Sequence, residues 1–413
     1  MYFRELTLDD YDILMQNIRN AFPHKPPHIE ERRADYVRRE LDKREQGVFV
    51  GLFDDNDVLV ASMELFEFEM CFKGKLIPLG GTGFVATNFL RKKEKSAKAL
   101  VEFFTKYFLD RGITIGALYP FNFAFYKKMG FGYATENYMF NLIPGYILNN
   151  GDKSNLSYCR PDEEEEVLEF YSKYASITHG MLINKGNDYT RIFRDNQVVV
   201  CRINGQITGY LSFRLVPVET HVDKTTDMIV SEMVYQDEET LGQFLTFLAS
   251  QSDQIERIRL YTTDPYIYYL SDNPDNGLNT AYNNGIQQLA HMCGGSMLKI
   301  LDLKAYLKQN STFEEPVHEP VYVKLNIKDS FNKSNNEPVI VKIEGNSIEI
   351  SENSHFDVKL SGDVSDFTSF AVGAIPLSKQ IEYSRLCISD KKWAPLLQRC
   401  LGYDKKPVCF SYF

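Results

Sequence analysis

The chain has 413 residues, with 46 Lys and Arg against 56 Asp and Glu and a formal net charge of −10; at roughly 150 residues per domain it holds two to three domains, and its acidity argues against nucleic-acid binding, which needs a basic face. Apolar residues at 44% and charged residues at 25% are ordinary globular usage, and the seven scattered cysteines, with no Cys-x-x-Cys pair, argue against a disulfide framework or a zinc site. With no run of eighteen apolar residues and no signal-peptide core, the expectation is a cytoplasmic chain that does not enter a membrane.

In the first segment, Thr7 followed by Asp9 and Asp10 predicts a helix start, because the helix dipole favours acids there; Tyr11, Leu14, Met15 and Ile18 follow at helical spacing. A break at Pro23, Pro26 and Pro27 precedes a second helix over about 29–41. The β-rich runs 48–53 and 58–63, around Asp54-Asp-Asn-Asp, predict a hairpin. A strand over 76–86, a basic turn at Arg91-Lys-Lys-Glu-Lys, a helix over about 97–107 and a buried strand over 113–119 complete the segment.

The second segment repeats this order about 150 residues later, which suggests a duplicated fold. Pro161 opens a helix whose first turn holds Glu163 to Glu166, read as a solvated, dipole-matched turn rather than a metal site. A hairpin of 198–203 and 206–211 turns at Asn204-Gly205, a strong short turn signal. A strand over 229–235 and a helix over about 238–250 follow.

In the third segment, 301–307 predicts a short helix or a cap on the preceding domain. Alternation over 321–327, 339–343, 348–351 and 356–360 predicts half-exposed antiparallel strands, with a polar turn at 332–336. Helices are expected over 365–372 and 389–400. The apolar tail 408–413 is expected to dock, since free termini fray.

Three features of the first segment belong together: the strand Gly83-Phe84-Val85-Ala86-Thr87, the Arg91 turn before a helix, and Ala117-Leu-Tyr-Pro-Phe-Asn122 followed by Phe125-Tyr126-Lys-Lys-Met-Gly130-Phe131-Gly132. The last stretch resembles the closing motif of the GNAT acetyltransferase superfamily, in which a Phe-Tyr pair precedes a Gly-Phe turn. The order of all three, with the duplication and the third segment, resembles the enhanced intracellular survival (Eis) acetyltransferases over essentially the whole chain.

That resemblance implies an α/β and α+β architecture: two tandem GNAT-type mixed-sheet domains at 1–146 and 147–297, the second degenerate, then a sterol-carrier-protein-like α+β domain at 298–413. It implies acetyl-CoA as cosubstrate without a metal, and acetyl transfer to a primary amine of a small polyamine such as an aminoglycoside, or of a lysine side chain. It also implies a homo-oligomer, hexameric or trimeric.

By the same resemblance, Phe84, Val85 and Ala86 offer backbone groups to the pantetheine arm, as an added strand would pair. Arg91, Lys92, Lys93, Lys95 and Ser96 surround the pyrophosphate at a helix N-terminus, whose free N–H groups and dipole attract anions, and Asn122 joins the cofactor contacts. Tyr126 is the general acid for the leaving thiolate, and the carboxylate of Phe413 is the second catalytic group, accepting the amine proton.

The sequence departs from the motif at Glu94 and Ser96, where the family pattern has Gly, and Gly or Ala. A carboxylate repels a pyrophosphate, which the neighbouring cations offset. A second reading therefore stays open: a non-catalytic GNAT-fold binding or scaffold protein without acetyl-CoA affinity. In the second segment Asp237-Glu-Glu-Thr stands where the basic turn should recur, so one cofactor site per chain is expected. The seven histidines show no metal spacing; His24 and His28 flank prolines.

Overall fold

The fold is that of a computed structural model and is described for residues 1–23, 26–149, 151–218, 226–275, 281–282 and 286–413; His24 and His221 lie outside the described residues. The chain divides into two compact units. One comprises 1–134, 296–407 and Phe413, the other 135–295 and 408–412.

In the first unit a mixed sheet runs in the order Tyr2–Glu5, Gly47–Phe53, Leu59–Phe72, Lys75–Thr87, Ile115–Leu118, Met297–Ile300, Gly132–Tyr133. Its hairpins are antiparallel, and Lys75–Thr87 pairs with Ile115–Leu118 in parallel. Alternating side chains give the sheet two apolar faces. Val50, Met63 and Leu65 pack with Leu100, Phe104 and Phe108 of the helix Ser96–Leu109. On the other face Phe49, Phe53 and Leu59 meet Leu14, Ile18, Val37 and Leu41 of the helices Tyr11–Ala21 and Pro27–Lys43.

The same unit holds a second sheet, in the order Val339–Ser351, Thr312–Lys328, Val358–Asp363, Leu386–Ile388, with the helices Val364–Ala371, Leu377–Glu382 and Ala394–Leu401. Three sequence expectations differ here. The runs 339–343 and 348–351 form one strand: Gly345, at φ +56°, carries the chain through the polar Glu344-Gly-Asn stretch, and the extra residues of the irregular pairing lie on the partner strand, where Val317 faces Gly345 and Val321 faces Ile343. Thr312–Lys328 and Val358–Asp363 pair in parallel rather than antiparallel, from Val323 opposite Val358 to Lys328 opposite Asp363. The helix expected over 389–400 starts at Ala394, since Asp390 first caps a 3₁₀ turn by accepting from the Lys392 N–H at 3.1 Å.

The second unit has its own mixed sheet: Ala290–Gly294, Glu136–Leu142, Ile255–Thr262, Thr226–Tyr235, Gln206–Pro217, Gln197–Ile203, Leu156–Tyr158. Val198 and Val200 face the helices Glu164–Ile177 and Lys185–Phe193, while Val199 and Cys201 face Glu238–Ala249, as a two-residue period requires. The turn at Asn204 (φ +51°) and Gly205 (φ +79°) has both central residues left-handed, the conformation that matches strand twist. The acid run is only partly solvated. Arg202 pairs with Glu163 at 3.2 Å and Glu166 at 2.7 Å, which leaves Glu164 and Glu165 as the dipole-matched first turn.

Two strands join a sheet other than the one their place in the sequence suggested. Glu136–Leu142 lies in the second unit's sheet, against Ile255–Thr262 and Ala290–Gly294. Met297–Ile300 enters the first unit's sheet between Ile115–Leu118 and Gly132–Tyr133.

Candidate active site

The site begins where two parallel strands of the first unit part. Lys75–Thr87 pairs with Ile115–Leu118 from Gly80 opposite Gly116 to Thr82 opposite Leu118, and no further. Beyond Thr82 its only ladder partner among the described residues is Leu59–Phe72, so residues 83–87 present one backbone edge to the gap. A bulge sits there: Glu64 faces Gly83 and Ser62 faces Ala86, leaving Met63 opposite both Phe84 and Val85. Phe84 takes φ +46°, a strained conformation for a bulky residue. Its ring is held by Tyr36 (5.7 Å, stacked), Phe49 and Phe22.

The helix Ser96–Leu109 starts beyond this strand with no side-chain cap on its first amides. The Ser96 hydroxyl is buried there without a hydrogen-bond partner among the described residues. Lys93 (φ +71°) and Lys95 (φ +65°) make the left-handed bends that glycine would otherwise supply. Arg91 is committed to acids, 2.6 Å from Asp54 and 2.8 Å from Glu94. The Glu94 charge is therefore compensated locally, and Lys92, Lys93 and Lys95 supply the net positive charge of the turn. Lys92 lies over the Phe89 ring at 3.6 Å. An orphaned hydroxyl, open amides and lysines that meet no carboxylate among the described residues fit a pyrophosphate.

The segment after Ile115–Leu118 carries the aromatic part of the site. Asn122 caps the helix Phe123–Lys127, accepting from the Phe125 N–H at 3.0 Å, so its side chain positions the turn of Tyr126. Tyr126 is 3% exposed, ringed by Phe121, Phe125 and Phe131. Burial raises its pKa above the ordinary phenol value, so it stays protonated at neutral pH. Gly130 ends the turn at φ +89°; a Cβ there would stand 3.0 Å from the Lys299 ammonium. Lys299 donates to the Met129 carbonyl at 3.0 Å and to Asp329 at 3.2 Å, and both charged side chains are fully buried.

Phe413 sits against the same strand. Its ring packs on Phe66, Phe68 and Tyr119, and a Cβ added at Gly83 would stand 3.4 Å from its carboxyl carbon. Glu64 lies directly opposite Gly83 and therefore on the same face. It is fully buried, one oxygen accepts from the Tyr36 hydroxyl at 2.8 Å, and the other has no partner among the described residues. Glu40, 1% exposed, accepts from the Gln46 and Gly47 N–H groups with one oxygen and pairs with Arg39 at 3.7 Å through the other. Burial, reinforced by Glu40 and opposed by Tyr36, drives the Glu64 pKa well above the ordinary carboxyl value. Across the window between those two values the folded state holds a proton that the unfolded chain has released, so stability falls as pH rises. Glu64→Gln is expected to raise the melting temperature at neutral pH and to flatten its decline from acid pH, measured by thermal denaturation from pH 4 to 8.

The structure thus gathers Phe84, Val85, Ala86, Ser96, Lys92, Lys93, Lys95, Tyr126 and Phe413 around the strand split and the segments that flank it, and turns Arg91 and Asn122 to local structural bonds. Glu64, Tyr36, Lys299 and Asp329 were not found by sequence reasoning. For Glu64 the one signal was a lone acid in the apolar run Val-Ala-Ser-Met-Glu-Leu-Phe. The second unit departs at the matching helix: Asp237 caps Glu238–Ala249 by accepting from the Thr240 N–H at 2.9 Å, and Glu238 and Glu239 fill its first turn. Those amides are shielded from any phosphate. Among the described residues no cluster of His, Cys, Asp and Glu could hold a metal, and no helix is long and apolar enough to cross a membrane.

Comparison with known proteins bears on the domains and the fold. Residues 2–134 match a family model described as an acetyltransferase (GNAT) domain, and residues 181–287 match a second model of the same description. No curated protein matches the sequence. Among solved structures, an Enterococcus faecalis protein described as a probable N-acyltransferase is 17% identical with a TM-score of 0.82, over 100% of this chain and 99% of its own. A GCN5-related N-acetyltransferase from Anabaena variabilis (15%, TM-score 0.80) and Eis1 from Mycobacterium abscessus (14%, TM-score 0.77) each align over 100% of both chains. At such identities the likeness establishes a shared fold. The two family matches place two GNAT domains in tandem, at 2–134 and 181–287, and by them the chain is an acetyltransferase.

Proposed function

We propose that the first GNAT domain binds acetyl-CoA and transfers its acetyl group to a primary amine of a small polyamine, such as an aminoglycoside, or of a lysine side chain. The observation that carries this reading is the strand split after Thr82 beside a helix start that is uncapped and flanked by Lys92, Lys93 and Lys95, whereas the corresponding helix of the second domain is capped by Asp237. Phe84, Val85 and Ala86 offer backbone groups along the open edge. Lys92, Lys93, Lys95 and Ser96 hold the pyrophosphate, while Arg91 braces the turn through Asp54 and Glu94.

Acetyl-CoA supplies the acyl group as a thioester. Tyr126 donates its phenolic proton toward the departing sulfur. A thiolate forming in the same apolar surroundings has its own pKa raised by burial, which keeps the pair matched. The Phe413 carboxylate receives the proton of the attacking amine, and the buried Glu64 lies on the same face of the strand split. By resemblance, the C-terminal α+β region is sterol-carrier-like, and the assembly is a cytoplasmic homo-oligomer, hexameric or trimeric.

Titration calorimetry tests the site. Micromolar acetyl-CoA binding at about one site per chain is expected, with Lys93→Ala and Lys95→Ala each weakening it about tenfold. Absence of binding up to millimolar acetyl-CoA would overturn the assignment.

A further inference from the structure

The second unit has a strand split of its own. Thr226–Tyr235 and Ile255–Thr262 remain paired in parallel as far as Val230 opposite Leu260. The residues just beyond, Ser231 and Glu232 on one strand and Tyr261 and Thr262 on the other, line a cavity of about 270 Å³. The helix that would hold a pyrophosphate is closed by Asp237, so this space does not suit a nucleotide coenzyme. It is the size of a single small ring with a short side chain.

Its chemistry is also its own. At the floor Glu232 is 2% exposed and already neutralised: it pairs with Arg191 and accepts from the Tyr210 hydroxyl. Arg191 is fixed in turn by Asp188 at 3.1 Å, and Asp188 accepts from the buried Ser411 hydroxyl at 2.9 Å. Two further guanidiniums line the cavity, Arg194 and Arg214, and neither meets a carboxylate among the described residues; Arg214 donates to the Ser231 hydroxyl at 3.2 Å. Three arginines thus stand against Glu232 and Asp195 in the lining of a chain whose net charge is −10. Tyr261, Phe410 and Tyr412 supply flat apolar walls.

From this we infer that the strand split of the second GNAT domain is a binding site for a small aromatic carboxylate. Arg194 and Arg214 hold the carboxylate through the forked donors that suit planar anions. The ring lies among Tyr261, Phe410 and Tyr412. The degenerate domain has lost the features that hold a coenzyme and kept the space between its strands.

The test is titration calorimetry of the full chain with benzoate, phenylacetate and 4-hydroxyphenylacetate, with 4-hydroxyphenylacetamide and inorganic phosphate as comparisons. At least one acid is expected to bind at one site per chain, the amide at least tenfold more weakly, and phosphate more weakly than the acid. Arg194→Gln and Arg214→Gln, on exposed side chains whose loss spares the core, are each expected to weaken the acid about tenfold. Absence of binding of all three acids at 10 mM, equal binding of the amide or phosphate, or undiminished binding by the folded double variant would overturn the proposal.

Discussion

Tyr126→Phe is expected to lower the rate of acetyl transfer by about 10²–10⁴-fold, the usual contribution of a positioned acid, while leaving acetyl-CoA affinity and the melting temperature nearly unchanged. The phenol is suited to a small, isolated test. Its ring packs among Phe121, Phe125 and Phe131, which phenylalanine preserves, and burial alone accounts for its raised pKa. The hydroxyl makes no hydrogen bond within the protein among the described residues, so its removal strands no buried partner. Steady-state transfer to a polyamine, with calorimetry for acetyl-CoA, separates the outcomes. A fall in affinity with unchanged turnover would give Tyr126 a binding role, and a large fall in melting temperature would give it a structural one.

The buried pair Lys299–Asp329 carries the largest expected effect on stability. Both side chains are fully buried at 3.2 Å, and Asp329 also accepts from the Phe331 and Asn332 N–H groups and the Asn335 amide. Removing one partner leaves an uncompensated charge in the interior, which costs about 3–5 kcal/mol. Lys299→Met and Asp329→Asn should each destabilise the first unit by that order in urea unfolding. The double variant should recover part of the loss, because no lone charge then remains. Lys299 also fixes the Met129 carbonyl, three residues beyond Tyr126. A surviving single variant should therefore lose turnover as well, by displacement of the phenol and not by contact with the reacting groups.

Local chemistry carried much of the architecture. Thr7 with Asp9 and Asp10, the Asn204-Gly205 turn and Pro161 with its following acids all act over a few residues, and each marks an element the structure contains. The apolar periodicity of 97–107, within the helix Ser96–Leu109, and the duplicated order of elements followed from the same short-range spacing. The contrast between a lysine-rich and an acidic helix start, which separates the two domains, was likewise written in the short stretches Arg91–Ser96 and Asp237–Thr240.

What only the tertiary structure decided depends on pairings with no local signature. An alternating strand encodes which face is apolar but not which neighbour it will take, so Met297–Ile300 pairing with residues 115–118, and Val358–Asp363 running parallel to its partner, could not be read from spacing. Glu64 looks like any strand acid until Tyr36, Glu40 and the bulge at Phe84 close over it from separate elements. The cavity between the second unit's strands exists because two β-strands diverge after Val230, a geometric event that no residue type announces. The sequence by itself determined the elements, the duplication and the charge of each helix start, because those arise from interactions a few residues apart. The fold decided burial and proximity, because those arise from contacts between segments far apart in the chain.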